Sequence, residues 1–355
     1  MRVGYTRLRL PRILLVAVFS SAATQPSLGQ TPGRPADPVV AVLDAFKTHD
    51  IVGVPDPHRN TALHAFLLSL IRDPRFPGRV HDIVVEFGNA LYQDRVDRFV
   101  RGEDVPYEAL RRVWLDTTQA QPASDTPQAE ETLRAVRAIN ASRKPAARIR
   151  VWLGDPPIDW TQIRTKEDHR RWILMRETFP ADLVRREVLR RHRHALVVYG
   201  IGHLQRKNPQ ANFESTGMAA SLVSLLEEGG ASVFNVGLAP DLAIAYPYAA
   251  SWPVPSVVLT RGTEMGATPI AYDGPRVSVQ TGQMVPVPRE HWRSMRTDEQ
   301  FDALLYIGPR ASWSYAMVSP ALCSDPEYVA MRTARMALVE WKSDRLDDYC
   351  GTAKP

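Results

Sequence analysis

The chain has 355 residues, which is enough for a large hydrophobic core in one or two domains. Its formal net charge is +5, but the first 29 residues hold four arginines and no acidic residue, so the rest of the chain carries a charge near +1. A nucleic-acid-binding domain needs a basic surface of its own, and this composition therefore argues against nucleic acid as a partner.

The first 29 residues are typical of a secretory signal peptide. Four arginines, the last of them Arg12, precede a short apolar run over residues 13–23, and Ser27-Leu28-Gly29 offers small residues for cleavage. The apolar run is too short to span a bilayer comfortably, and an uncleaved anchor is the alternative. We expect a secreted or periplasmic protein without a stable membrane anchor, in which residues 30–38 form a flexible leader.

Strands and helices are predicted to alternate along the chain after this leader. Apolar runs bounded by turn residues predict strands over residues 51–54, 82–87, 148–153, 195–200, 232–236, 256–260 and 303–307. Apolar residues at helical spacing predict helices over residues 39–48, 61–72, 92–101, 107–115, 126–142, 166–191 with a break at Pro180, and 217–228. The alternation is typical of an α/β fold with a mostly parallel sheet and helices on both faces. We expect a single domain over residues 39–355, with an irregular insertion rich in Pro and Gly at about residues 239–300.

The chain has two cysteines, Cys323 and Cys350, both near the C-terminus. Export implies an oxidising compartment, so the first prediction is a disulfide between them. Two free thiols are the alternative.

Polar side chains follow four of the predicted strands. His58 comes after the first strand, Glu86 ends the second, Asp155 follows the strand at 148–153, and His203 follows the strand at 195–200. Ligands bind at the carboxyl ends of the strands in open α/β sheets. If these strands are parallel, the four side chains are expected to meet in one cleft.

Each of these residues also has a purely structural interpretation. His58 lies in a loop stiffened by two prolines, which suits a ligand or a base but also an ordinary surface turn. A carboxylate such as Glu86 at the end of a buried strand is costly unless it is paired, metal-bound or tuned, and a salt bridge to Arg176 is the alternative. His203 ends the turn Gly200-Ile201-Gly202-His203, which either presents a functional imidazole or is capped by it.

Several common catalytic motifs are missing, which limits the hydrolytic mechanisms that the chain could use. The sequence contains no GxSxG elbow, no HExxH, no P-loop and no credible cysteine nucleophile. Hydrolysis would therefore depend on histidines and carboxylates, with or without a metal. His58, Glu86 and His203 would make a two-His-one-carboxylate set for a divalent metal, with Asp155 as a further ligand, and a bound water there could become a nucleophile.

These motifs resemble a superfamily of α/β proteins that includes the ChaN-like haem-binding proteins, the TraB/Tiki proteases and the erythromycin esterases. The stretches that carry the resemblance are residues 53–58, 83–86 and 199–203, together with the helical pair Arg176-Glu177. The resemblance spans about residues 45–207. The first stretch departs from the Gly-Glu-x-His form of the family, because residues 54–57 read Val-Pro-Asp-Pro.

The resemblance implies a hydrolase-like protein acting on a small-molecule or peptide substrate. Glu86, His58, His203 and Arg176 would be its catalytic residues, and esterase or protease chemistry would require Asp56 to replace the missing Glu. The haem-binding members imply a different function, non-catalytic binding of haem or a metal ion. His64 and Tyr92, with His58, are the candidate haem ligands under that interpretation.

Overall fold

Seven strands form the main sheet in the computed structural model, which describes residues 31–206, 220–270, 276–277, 284–285, 295–341 and 345–351. The strands are β1 Ile51–Pro55, β2 Asp82–Asn89, β3 Arg150–Asp155, β4 Ala195–Tyr199, β5 Val233–Leu238, β6 Ser256–Leu259 and β7 Ala303–Tyr306. Their order is β3-β2-β4-β1-β5-β7-β6, and all neighbours are parallel except β7 and β6. The predicted α/β fold with a mostly parallel sheet is confirmed.

Fourteen α-helices lie in the described part of the chain. They are α1 Pro38–Ala45, α2 Thr61–Arg72, α3 Gln93–Val100, α4 Tyr107–Leu115, α5 Pro127–Ala141, α6 Lys166–Leu174, α7 Thr178–Glu187, α8 Leu222–Glu228, α9 Leu242–Ala245, α10 Glu264–Ala267, α11 Thr297–Gln300, α12 Pro320–Cys323, α13 Pro326–Leu338 and α14 Leu346–Cys350. Two short antiparallel pairs, Pro269–Ile270 with Met295–Arg296 and Arg276–Val277 with Met284–Val285, complete the regular structure. Among the described residues, no helix has both the length and the apolar character to cross a bilayer.

Both faces of the sheet are covered, as predicted. Successive side chains of a strand point to opposite faces, and β1 accordingly contributes Val52 to one buried cluster and Ile51 to the other. Helices α2 and α5 pack in the first cluster, and α7 and α8 pack in the second. Burial on both faces explains why the strands read as continuous apolar runs instead of alternating ones.

The long helix predicted over residues 166–191 is instead two helices, α6 and α7, and the break is not at Pro180. The chain leaves the helical path at residues 175–177, and Pro180 is the third residue of α7. Proline is tolerated there because the N–H groups of the first turn have no partner within the helix. The break places Arg176 and Glu177 at a corner beside the sheet.

Two other expectations about the chain ends and boundaries need correction. Residues 30–38 were expected to be a flexible leader, but Ala36 exchanges two backbone hydrogen bonds with Val257 in β6, of 2.7 and 3.0 Å. An edge strand such as β6 presents unpaired backbone groups, and this segment satisfies some of them. The helix predicted from residue 217 begins at Leu222, with Ser221 as its N-cap, and residues 217–219 lie outside the described residues, as does the predicted signal peptide.

The predicted disulfide is confirmed, since Cys323 is bonded to Cys350. It joins the end of α12 to the end of α14 across a sequence separation of 27 residues. Closing a loop of this length stabilises the folded state by about 3–4 kcal/mol in the chain-entropy model.

Candidate active site

The candidate site lies where β1, β2 and β4 end. Helix α2, which follows β1, packs in one buried cluster, and α8, the next described α-helix after β4, packs in the other, on the opposite face of the sheet. Ligands in open α/β sheets bind between adjacent strands whose connections lie on opposite faces. His58 follows β1 and His203 follows β4, whereas Glu86 stands just beyond Val85, the last residue of β2 paired with β4. The register of β2 shifts between Val85 and Asn89, and such irregularities often re-aim a side chain beside an active site.

Glu86 is the hub of the site, and its side chain is only 6% exposed. Its Oε1 accepts hydrogen bonds from the Arg176 guanidinium and, at 3.3 Å, from Gln119 Nε2. Its Oε2 accepts the Gly200 backbone N–H at 2.6 Å. A Cβ on Gly200 would lie 3.1 Å from Glu86 Oε2, so the absence of a side chain there permits this close approach.

The charges around Glu86 keep its carboxylate ionised. His203 Nε2 lies 3.4 Å and His58 Nε2 lies 3.9 Å from Glu86 Oε1. Burial opposes ionisation, but His203, His58 and Arg176 together hold the pKa of Glu86 well below its usual range. A carboxylate with such a low pKa is a weak proton acceptor. Glu86 therefore organises cations around it, and the alternative of a salt bridge to Arg176 is present in the structure.

His58 is the member of the cluster that faces solvent, with 46% of its side chain exposed. His58 Nδ1 lies 2.8 Å from Asp56 Oδ1, which also accepts the His58 backbone N–H at 2.9 Å. Burial opposes protonation of His58, but the charges of Glu86 and Asp56 outweigh it and raise the pKa of the imidazole to about 9. The carboxylate fixes Nδ1 as the donor, which leaves Nε2 as the nitrogen that exchanges protons.

His203 is held on both sides by carboxylates. Its Nδ1 lies 2.7 Å from Glu177 Oε1, while Glu177 Oε2 accepts the Leu222 backbone N–H at 2.7 Å. Burial lowers the proton affinity of His203, yet Glu177 and Glu86 together raise its pKa to about 9. The side chain is only 14% exposed, so His203 is a buried cation behind the crevice.

Asp155 joins the cluster through Arg176, whose Nε lies 3.9 Å from Asp155 Oδ1. Thr118 donates its backbone N–H to Asp155 at 2.6 Å and its hydroxyl at 2.5 Å. Burial raises the pKa of Asp155 to about 7, against the opposing effects of Arg176 and Thr118. The Arg176 guanidinium therefore lies between two carboxyl groups, Glu86 and Asp155, from different strands.

The predicted metal ligands His58, Glu86, His203 and Asp155 meet, but not in the arrangement of a metal site. Across the described residues, no three His, Cys, Asp or Glu side chains have an arrangement that could hold a metal ion. The guanidinium of Arg176 instead bonds the Glu86 carboxylate that a metal would need. The described contacts therefore favour an ion-pair cluster, and metal binding by these four residues stays a prediction.

Two of the three candidate haem ligands, His64 and Tyr92, lie outside the cluster that contains His58. His64 is buried in α2, with Nε2 3.4 Å from Thr132 Oγ1, and burial lowers its pKa. Tyr92 donates its hydroxyl to Asp116 at 2.8 Å and lies beneath the guanidinium of Arg95. His64 lines a cleft with His58, and Tyr92 is not among the residues lining it. His64 and Tyr92 therefore do not line this cleft together, and haem binding stays a prediction.

A cleft opens beside His58. Its walls come from the loop after β1, helices α2 and α5, Phe87 of β2 and residues 123–126. His58 is one of the lining residues, so a ligand that enters the cleft would lie against the exposed imidazole.

The loop after α4 supplies two residues of the cluster that the sequence pattern does not predict. Thr118 and Gln119 bond Asp155 and Glu86, and His169 Nε2 lies 2.7 Å from the Thr118 carbonyl oxygen. Thr118 and Gln119 lie in a stretch that has the pattern of a polar loop, so no local pattern marks them. The sequence pairs Glu177 with Arg176, and only the fold brings its Oε1 to 2.7 Å from His203 Nδ1.

The fold has counterparts among solved structures. A Bacillus cereus protein matches with a TM-score of 0.53 and 12% identity, covering 81% of this chain and 97% of that one. A succinoglycan biosynthesis protein matches with a TM-score of 0.55 and 10% identity, covering 81% and 96%. A mutant of the erythromycin esterase EreC in its open conformation matches with a TM-score of 0.50 and 11% identity, covering 79% and 95%. No family model and no curated protein sequence matches the chain, and these likenesses establish the fold.

Proposed function

We propose that the protein is an exported hydrolase that needs no metal and uses His58, oriented by Asp56, to activate water. The observation that carries the proposal is the 2.8 Å contact from His58 Nδ1 to Asp56, with Nε2 beside a buried cluster of opposite charges. The likeness of the fold to an erythromycin esterase supports an ester as the substrate.

In this mechanism, neutral His58 takes a proton from water through Nε2 while the water attacks the ester carbonyl. Asp56 holds Nδ1–H and stabilises the imidazolium that forms, and Glu86 adds a second negative charge 3.9 Å from Nε2. The same imidazolium can then give its proton to the leaving oxygen. The raised pKa of His58 makes it a strong base, which is present in the neutral form only above neutral pH.

Arg176 would stabilise the negative charge that develops on the ester oxygen. It is a cation with most of its surface removed from water, where a charge acts more strongly than in bulk solvent. Glu86 does not take part as a base in this mechanism. It keeps Arg176, His203 and the Gly200 N–H in their positions, which makes Glu86 a positioning residue.

The function can be tested with chromogenic esters and two matched variants. His58→Asn and His192→Asn replace histidines that both have left-handed backbone, with φ of 44° and 52°, which asparagine tolerates. His58→Asn is expected to lower kcat/KM by about 100-fold or more, whereas the exposed His192→Asn control and treatment with a chelator change little. Full turnover by the folded His58→Asn variant would refute the assignment, as would turnover that a chelator abolishes.

Export is the second part of the proposal. Support comes from the arginine-rich, apolar pattern of the first 29 residues and from the disulfide, a bond typical of oxidising compartments. N-terminal sequencing of the protein secreted by a bacterial host is expected to start near Gln30. Retention in the cytoplasm with an intact N-terminus would contradict this part.

A further inference from the structure

Arg59, the residue after His58, is a cation without a carboxylate partner in the described part of the chain. Its guanidinium lies over the ring of Tyr349, with 4.5 Å from Cζ to the ring centroid. One terminal nitrogen, Nη1, is buried and has no hydrogen-bond partner among the described residues. Burying a charged donor without an acceptor is costly, so the guanidinium of this cleft-lining residue has hydrogen-bonding capacity that the described residues leave unused.

The backbone of Arg59 is held where an unconstrained chain would not place it. His58 and Arg59 have φ values of 44° and 72°, two consecutive left-handed residues that are neither Gly nor Asn. The Arg59 carbonyl accepts the Ala316 backbone N–H at 2.7 Å and Gln128 Nε2 at 3.1 Å. The scaffold therefore keeps Arg59 and His58 in the wall of the same cleft.

The charges that line the cleft favour an anion. Asp56, the carboxylate of the lining, already contacts His58, with 2.8 Å from Oδ1 to Nδ1 and 2.9 Å from Oδ1 to the backbone nitrogen. Arg59 is thus the charged side chain of the lining that has no carboxylate partner among the described residues. The other walls include the apolar side chains of Leu67 and Phe87.

We propose that Arg59 is a specificity-determining residue that binds a carboxylate on a substrate with a short apolar body. A guanidinium presents parallel N–H groups that match a carboxylate in a two-point hydrogen bond. Its position beside His58 would set the distance between this carboxylate and the scissile ester. The identity of the ligand as a substrate rests on the proposed function, whereas anion binding at Arg59 does not.

Binding is tested first, without any turnover. Sodium butyrate and its neutral isostere butyramide are titrated, at constant ionic strength, into protein with ¹³C-labelled histidine, and the ring signals of His58 and His64 are followed. Butyrate is expected to give saturable shifts that butyramide does not give. Arg59→Gln is expected to weaken butyrate binding about tenfold or more, whereas Arg190→Gln, which removes an exposed arginine from the turn after α7, leaves it unchanged.

Equal binding of butyrate and butyramide would overturn the proposal, as would unchanged butyrate binding in folded Arg59→Gln. Glutamine keeps a long unbranched side chain at this left-handed position, so the backbone cost resembles that of arginine. If this variant does not fold, the proposal is tested by the wild type alone, through the difference between butyrate and butyramide binding.

A pair of substrates then separates this inference from the proposed function. The wild type is expected to hydrolyse 4-nitrophenyl hemisuccinate, which carries a carboxylate, with a higher kcat/KM than 4-nitrophenyl butyrate, and Arg59→Gln to lower that ratio about tenfold. Turnover of both esters without a charge preference overturns the role of Arg59 and leaves the hydrolase. Butyrate binding that depends on Arg59, with no turnover of any ester, overturns the hydrolase and leaves the anion site.

Discussion

Replacing Asp56 with asparagine should lower both the pKa of His58 and the plateau that kcat/KM reaches at high pH. Asp56 is one of two carboxylates that raise the pKa of His58 from 6.5 to about 9, and its Oδ1 lies 2.8 Å from Nδ1. Removal of one nearby charge typically changes a pKa by about 1 to 2, so the pKa of His58 in Asp56→Asn should fall to about 7–8. Glu86, 3.9 Å from Nε2, accounts for the increase in the pKa of His58 that remains in this variant.

The kinetic consequence follows from the fraction of neutral imidazole. With a pKa of about 9, only about 1% of His58 is neutral at pH 7, so kcat/KM of the wild type should rise through the neutral range and level off above pH 9. In Asp56→Asn the rise should occur at lower pH, because His58 loses its proton more easily. The plateau should fall about 10- to 100-fold, because the carboxylate that orients and stabilises the imidazolium is gone.

Two measurements check this prediction. NMR titration of the His58 ring gives its pKa without a substrate, and the pH profile of ester hydrolysis from pH 6 to 10.5 gives the kinetic midpoint. Asp44→Asn is the control, since it removes an exposed carboxylate that pairs with Lys47 in and after α1. A wild-type His58 that titrates near 6.5, or a pKa that Asp56→Asn leaves in place, would refute the reasoning.

Three further predictions concern stability. The pKa of His203 is raised from 6.5 to about 9, so protonated His203 contributes about 3 kcal/mol to the free energy of unfolding. This contribution is fully present below pH 6.5 and disappears as the pH rises through 9. In urea unfolding, Glu177→Gln should lose less stability over this pH range than the wild type, and an equal loss would contradict the pairing of Glu177 with His203. Arg332→Met should destabilise the protein by about 3–5 kcal/mol, because Asp125 stays buried and loses the guanidinium that donates to it at 2.7 Å. Denaturant midpoints measure the change in stability, and a change below about 1 kcal/mol would argue against the prediction. Reduction of the disulfide should lower the free energy of unfolding by about 2–4 kcal/mol, and an unchanged midpoint in reductant would show that the loop is constrained by other contacts.

The site also shows how one long-range contact changes an interpretation. Two histidines and a glutamate at strand ends are compatible with a metal centre or with an ion-pair cluster. Arg176 distinguishes these, because its guanidinium bonds Glu86 from 90 residues away along the chain. Its position depends on where the chain leaves the helical path between α6 and α7, and the pattern of apolar residues across residues 166–191 does not locate that break.

Local patterns by themselves determined the parallel sheet, its helices on both faces, and the placement of His58 and His203 after their strands, whereas Glu86, predicted to end its strand, lies within β2. These features depend on the spacing of apolar residues and on turn residues nearby in the chain, which the sequence contains in full. The tertiary structure alone decided the partners: Thr118 with Asp155, Glu177 with His203, and Arg176 with Glu86. Whether a buried carboxylate binds a metal, a cation or a proton depends on which charges the fold brings within a few ångströms, and those charges come from distant parts of the chain.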